Sequence, residues 1–84
     1  MEQTLRKIKN ATEYIIGGYE NQVADYEEDT EEYKEAKDWL DMGDDEKVED
    51  IYKSIIDDTL EKEVRFIGTA TIKDFIKIIV AENL

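Results

Sequence analysis

Apolar side chains recur every three or four residues along nearly the whole chain, and no proline interrupts them. That spacing returns each side chain to one face of a helix, whereas a half-buried strand would alternate. A first stripe runs through Leu5, Ile8, Thr12, Ile15, Tyr19, Val23 and Tyr26. A second runs through Tyr33, Ala36 and Leu40, with Trp39 beside it. The third passes through Val48, Ile51, Tyr52, Ile55, Thr59, Leu60, Val64 and Ile67. The fourth comprises Ile72, Phe75, Ile76, Ile79 and Val80, with Ile78 off that face. Being the most apolar, it is expected to lie at the centre of the fold or to meet a partner. The pattern predicts an all-α domain spanning residues 1–84, a small bundle of three or four helices.

Boundaries follow from capping chemistry. Thr30 is a good N-cap for the second helix, and Glu31-Glu32 put negative charge on its first turn, where the helix dipole favours it. Gly43 supplies a stop for that helix. Asp44 is a candidate N-cap for the third helix, and Gly68 or an extended Val64–Ile67 segment would end it. Thr71 opens the fourth, with Asp74 as its capping-box partner. Gly17-Gly18 inside the first stripe marks a weak spot, a bend or a close approach of another backbone, at a cost of about 1 kcal/mol per glycine against alanine. The first two stripes are in phase, so one long helix from Thr4 to Met42 competes with two. The Glu27-Glu28-Asp29 cluster favours a break, because it would crowd negative charge against the C-terminal pole of the first helix.

Leu, Ile, Val and Phe number 21 of 84 residues, enough for a core and above the level of a disordered chain. A core of this size leaves only ~3–5 kcal/mol of net stability. The chain has no histidine and no cysteine. Their absence removes the commonest general base, the thiol nucleophile, disulfides and the soft metal ligands. Ser54, the only serine, has no ordinary activating base, and no phosphate-binding glycine loop is present. Twelve-residue calcium loops beginning at Asp25 or Asp41 lack both the central glycine and the closing glutamate. The expectation is a protein that is not an enzyme and carries no cofactor or metal. No apolar run reaches the ~18 residues of a membrane span, and the first residues lack a signal-peptide core, so a cytoplasmic location is expected.

The acid is the strongest functional signal, and it is localised. The net charge is −12, yet Glu20–Glu63 alone holds 19 acids and 5 bases, and the rest of the chain is slightly positive. Within Asp25–Asp50 there are 14 acids and 3 bases. Such a face keeps a small bundle soluble, but soluble helices ordinarily intersperse the two signs. Lys34, Lys37 and Lys47 cannot neutralise so many partners, so the fold carries repulsion that stability alone would not select. The 26 residues of Asp25–Asp50, at ~1.5 Å rise, place one acid per ~2.8 Å, against ~3.4 Å between charges along a DNA strand. Two packed helices would raise the surface density further. The candidate partner-binding residues are Asp25, Glu27, Glu28, Asp29, Glu31, Glu32, Glu35, Asp38, Asp41, Asp44, Asp45, Glu46, Glu49 and Asp50. Tyr33 reads as core, and Trp39, flanking its stripe, reads as a partly exposed interface anchor.

The stretch Asn10-Ala11-Thr12-Glu13-Tyr14-Ile15-Ile16-Gly17-Gly18-Tyr19-Glu20-Asn21, followed by Thr30-Glu31-Glu32-Tyr33-Lys34-Glu35-Ala36, resembles small uncharacterised proteins encoded by phages and prophages of Firmicutes-type bacteria. The likeness covers roughly the first half, with a weaker one around Phe66–Phe75, and its motifs carry no known chemistry. In size and acidity the chain is similar to phage-encoded DNA-mimic inhibitors, including several anti-CRISPR proteins. That class resemblance implies binding to a basic, nucleic-acid-handling protein of the bacterial host, a CRISPR-Cas effector being the favoured target. Direct contact with nucleic acid or membrane is not expected. The competing expectation is a small helical adaptor or homodimer, its seam formed by the in-phase Leu5–Leu40 stripe or the Ile72–Val80 helix, with the acid serving solubility alone.

Overall fold

A computed structural model describes residues 2–56 and 60–84. All the regular structure among them is helical: α1 (Glu2–Asp25), α2 (Glu31–Asp41), α3 (Asp44–Ile55), α4 (Glu61–Ile67) and α5 (Thr69–Asn83). The all-α expectation holds, with five helices in place of three or four. The third stripe is divided between α3 and the short α4. Its Thr59 falls outside the described residues.

The break between α1 and α2 has a clear local cause. Thr30 is extended, its Oγ1 accepts the Tyr33 N–H at 3.2 Å, and the hydroxyl donates to the Glu27 carbonyl at 2.7 Å. The side chain thus caps α2 and closes the preceding turn, which removes the single long helix from consideration. Other boundaries differ from the sequence reading. Gly43 has φ −62°, so it is the N-cap of α3 and not a left-handed stop for α2, and Asp44 is the first residue of α3. Gly68, at φ +111°, ends α4 and leads directly into α5 at Thr69. The fourth helix therefore starts two residues before Thr71, and α5 has no side-chain cap. A left-handed glycine supplies the sharp corner that a capping box does not. Gly17 and Gly18 lie within a continuous α1, and a Cβ at either would meet no neighbour within 4 Å. Neither a break in the helix nor a close backbone approach accounts for them.

The core gathers Ile8 and Ile16 of α1, Trp39 of α2, Val48, Ile51 and Ile55 of α3, Val64 of α4, and Ile72, Ile76 and Val80 of α5. Full burial of each branched side chain contributes about 1.5–3 kcal/mol. As expected of the most apolar helix, α5 packs against α1, α3 and α4. The first stripe is displaced from its expected line. Ile16 is buried and Ile15 only partly so, and Tyr26 lies exposed beyond the end of α1. Thr12 is buried without penalty because its hydroxyl donates to the Ile8 carbonyl at 2.7 Å. At the far end, Thr4 donates to Glu63 at 3.0 Å and ties α1 to α4. No helix among the described residues is long and apolar enough to cross a membrane.

Candidate functional site

The second helix sits on α1 through Ala36, which is fully buried, and Trp39, 5% exposed. The Trp39 ring stacks on Tyr19 at 4.4 Å between centroids and 15° between planes. Its indole N–H donates to Asp50 Oδ2 at 2.8 Å and so links α2 to α3. This corrects the sequence reading of Trp39 as a partly exposed anchor. Its wide apolar face is taken up by the core, and its polar edge has a partner within the fold. Tyr33 is half-buried. Both acidic helices pack on α1, and the Trp39–Asp50 bond joins them to each other.

The carboxylates fall into two groups with different partners. On α3, Asp45 pairs with Lys77 at 3.3 Å and Glu49 with Lys73 at 2.6 Å, both lysines coming from α5. Lys73 also lies 5.0 Å from the centre of the Tyr52 ring. Asp50 is half-buried and accepts the Trp39 N–H. Asp41 pairs with Lys37 at 3.4 Å. Counting only Lys34, Lys37 and Lys47 as neutralising partners thus overlooked the two α5 lysines, which are distant in sequence and adjacent in space. Lys47 itself makes no ion pair among the described residues. It is buried, donates to the Met42 carbonyl at 2.5 Å, and lies 5.9 Å from the centre of the Trp39 ring.

The other group has no such relief. Asp25, Glu27, Glu28, Asp29, Glu31, Glu32, Glu35 and Asp38 are all exposed, and none makes an ion pair among the described residues. Asp44 and Glu46 share that condition. Glu31 and Glu32 are favourably placed at the N-terminus of α2. Asp25 sits instead in the last turn of α1, which carries no basic residue, and Glu27, Glu28 and Asp29 follow directly. Negative charge there opposes the helix dipole. Spacing puts Glu31, Glu35 and Asp38 on one flank of α2, at steps of four and three residues.

That flank borders an open groove of about 330 Å³ where α1, α2 and α3 meet. Tyr14, Ile15, Gly18 and Tyr19 line it from α1, Glu35 from α2, and Asp50 and Ser54 from α3. Tyr14 is 82% exposed at this groove. Burial pushes the Tyr19 phenol above its ordinary 10.0, and the negative charges of Asp50 and Glu35 push it further the same way. Both carboxylates therefore act on the same small volume. Sequence reasoning missed the groove as a site, although Gly17-Gly18 and the lone Ser54 mark positions close to it. A second open depression, on α3, is lined by Met42, Asp45, Glu46, Glu49, Asp50 and Lys53, and the lysine offsets part of its charge. No group of three carboxylates among the described residues is placed to hold a metal ion. No protein-family model matches the chain, and no curated protein and no solved structure matches it.

Proposed function

We propose that this chain is a non-enzymatic inhibitor, of phage or mobile-element type, that occupies the basic nucleic-acid-binding surface of another protein. The observation carrying this reading is the group of eight exposed carboxylates from Asp25 to Asp38, none of them paired within the described fold. Apart from Glu31 and Glu32 at the N-terminus of α2, a folded chain gains nothing in stability from that concentration of like charge. A surface that meets lysines and arginines does gain, because it replaces the counterions or phosphates they would otherwise hold. The contact centres on the α1–α2 turn and the outer face of α2. The acids of α3 play a smaller part, since Asp45 and Glu49 already have lysine partners. Host defence proteins that handle nucleic acid, CRISPR-Cas effectors first among them, are the targets that best fit such a surface.

The test is affinity capture from a bacterial lysate followed by displacement of labelled DNA or RNA from the captured protein. Binding that weakens by about a hundredfold or more from ~50 mM to ~500 mM salt supports the reading. Salt-independent binding, or capture without displacement of nucleic acid, refutes it. A second reading, a homodimer with solubilising acid, draws on the exposure of Ile78 and Phe66, which are 57% and 89% exposed. Light scattering that finds a tight dimer lost on Ile78→Glu substitution would favour it.

A further inference from the structure

The groove between α1, α2 and α3 differs from the rest of the acidic surface. The other acidic depression takes its carboxylates from α3 alone and holds Lys53 among them. In this groove Glu35 and Asp50 come from two helices and share a concavity with two tyrosines. One oxygen of Asp50 accepts the Trp39 indole N–H, which holds the carboxylate in place and leaves its second oxygen without a donor among the described residues. Glu35 makes no ion pair among the described residues. Gly18 keeps the groove open, since a side chain at that position would enter space where nothing lies within 4 Å of its Cβ.

We propose that this groove receives the side chain of an arginine presented by the basic partner, its guanidinium lying between Glu35 and Asp50 and against the tyrosine rings. The inference rests on the acidic-surface reading and adds a fixed point of registry to it. Charge complementarity selects a cation, and the tyrosines select its kind. A guanidinium is planar, weakly hydrated, stacks on aromatic faces and donates to two carboxylates at once. A lysine ammonium is a compact, strongly hydrated charge that forgoes the stacking. The volume, about 330 Å³, is at the low end of ligand sites and suits one long side chain better than a folded segment.

Titration with a hexa-arginine peptide, followed by NMR of the indole N–H, tests this. Trp39 is the only tryptophan, so the spectrum has one indole peak, and its hydrogen-bond acceptor lines the groove. Hexa-arginine is expected to shift that peak saturably, and hexa-lysine of equal charge to do so at least several-fold more weakly. Gly18→Phe fills the groove without altering any charge, and it should weaken the arginine-induced shift about tenfold or more. Glu35→Gln, which preserves shape, should weaken it several-fold and carries the test if the Gly18→Phe protein does not fold. An indole peak that does not respond, equal responses to the two peptides, or a folded Gly18→Phe protein that responds like the native one overturns the proposal. The parent reading fails separately. It is refuted if Glu27, Glu28, Glu31 and Glu32, none of which lines the groove, can be reversed to lysine without loss of hexa-arginine affinity.

Discussion

One substitution, glycine to alanine, should act with opposite sign at different positions in this chain. Gly17 and Gly18 lie inside α1 with no strained dihedral and no neighbour within 4 Å of an added Cβ. Alanine at either position meets no obstacle and restricts the unfolded chain, so each should stabilise by about 1 kcal/mol. For a domain of this length, 1 kcal/mol raises Tm by roughly 4–8 °C. The double variant should therefore gain roughly 8–16 °C, a large effect against a net stability of ~3–5 kcal/mol. Gly68 is the contrasting case, with φ +111° and ψ 131°, a region that L-residues rarely adopt. The nearest atom to a Cβ there, Thr71 Oγ1, is at an ordinary 3.8 Å, so the penalty is backbone strain and not collision. Alanine at Gly68 should cost about 1–3 kcal/mol. Thermal and urea unfolding followed by circular dichroism reads all three. A loss of stability at Gly17 or Gly18 would mean that α1 is not a continuous helix there, and an unchanged Gly68→Ala protein would remove the sharp α4–α5 corner.

Further outcomes follow from the packing and the charges. Ile51 is fully buried in α3, so Ile51→Ala should cost about 2–5 kcal/mol and leave much of the protein unfolded at 25 °C, as far-ultraviolet circular dichroism would show. Asp25→Asn relieves negative charge in the last turn of α1 and should stabilise by about 0.3–1 kcal/mol at low ionic strength, with the gain vanishing in high salt. Because the folded protein holds the Tyr19 proton more tightly than the unfolded chain, this contribution to stability is complete below pH 10.0 and is lost as pH rises through the raised value. Alkaline unfolding, followed by circular dichroism, should therefore be less steep in Tyr19→Phe.

What the sequence made legible was mostly local. Thr30 has the side chain to cap α2, and the Glu27-Glu28-Asp29 run opposes any continuation of α1, so the first break could be read directly. The α5 face was equally plain, because Ile72, Ile76, Ile79 and Val80 keep strict helical spacing. The α3–α4 division was hidden because the apolar stripe runs in phase through it. The role of Gly68 depends on a backbone dihedral that composition does not encode. For the candidate site, the segment of concentrated acid was visible, and every acid named there except the half-buried Asp50 is exposed. Its division into a paired and an unpaired half was not visible, because Lys73 and Lys77 reach Glu49 and Asp45 from 24 and 32 residues away in the chain. Trp39 was misjudged for a similar reason, since its stacking on Tyr19 and its bond to Asp50 are tertiary contacts.

The central claim is that the unpaired acids of the α1–α2 turn and α2 compete with nucleic acid for a basic surface. Displacement of labelled nucleic acid from the captured host protein, by the native chain and by a folded Glu27→Lys, Glu28→Lys, Glu31→Lys, Glu32→Lys variant, tests it most directly. Loss of displacement in the variant, with full displacement retained by an Asp45→Asn, Glu49→Gln protein, is the predicted result. Equal displacement by the native chain and the charge-reversed variant would contradict the account.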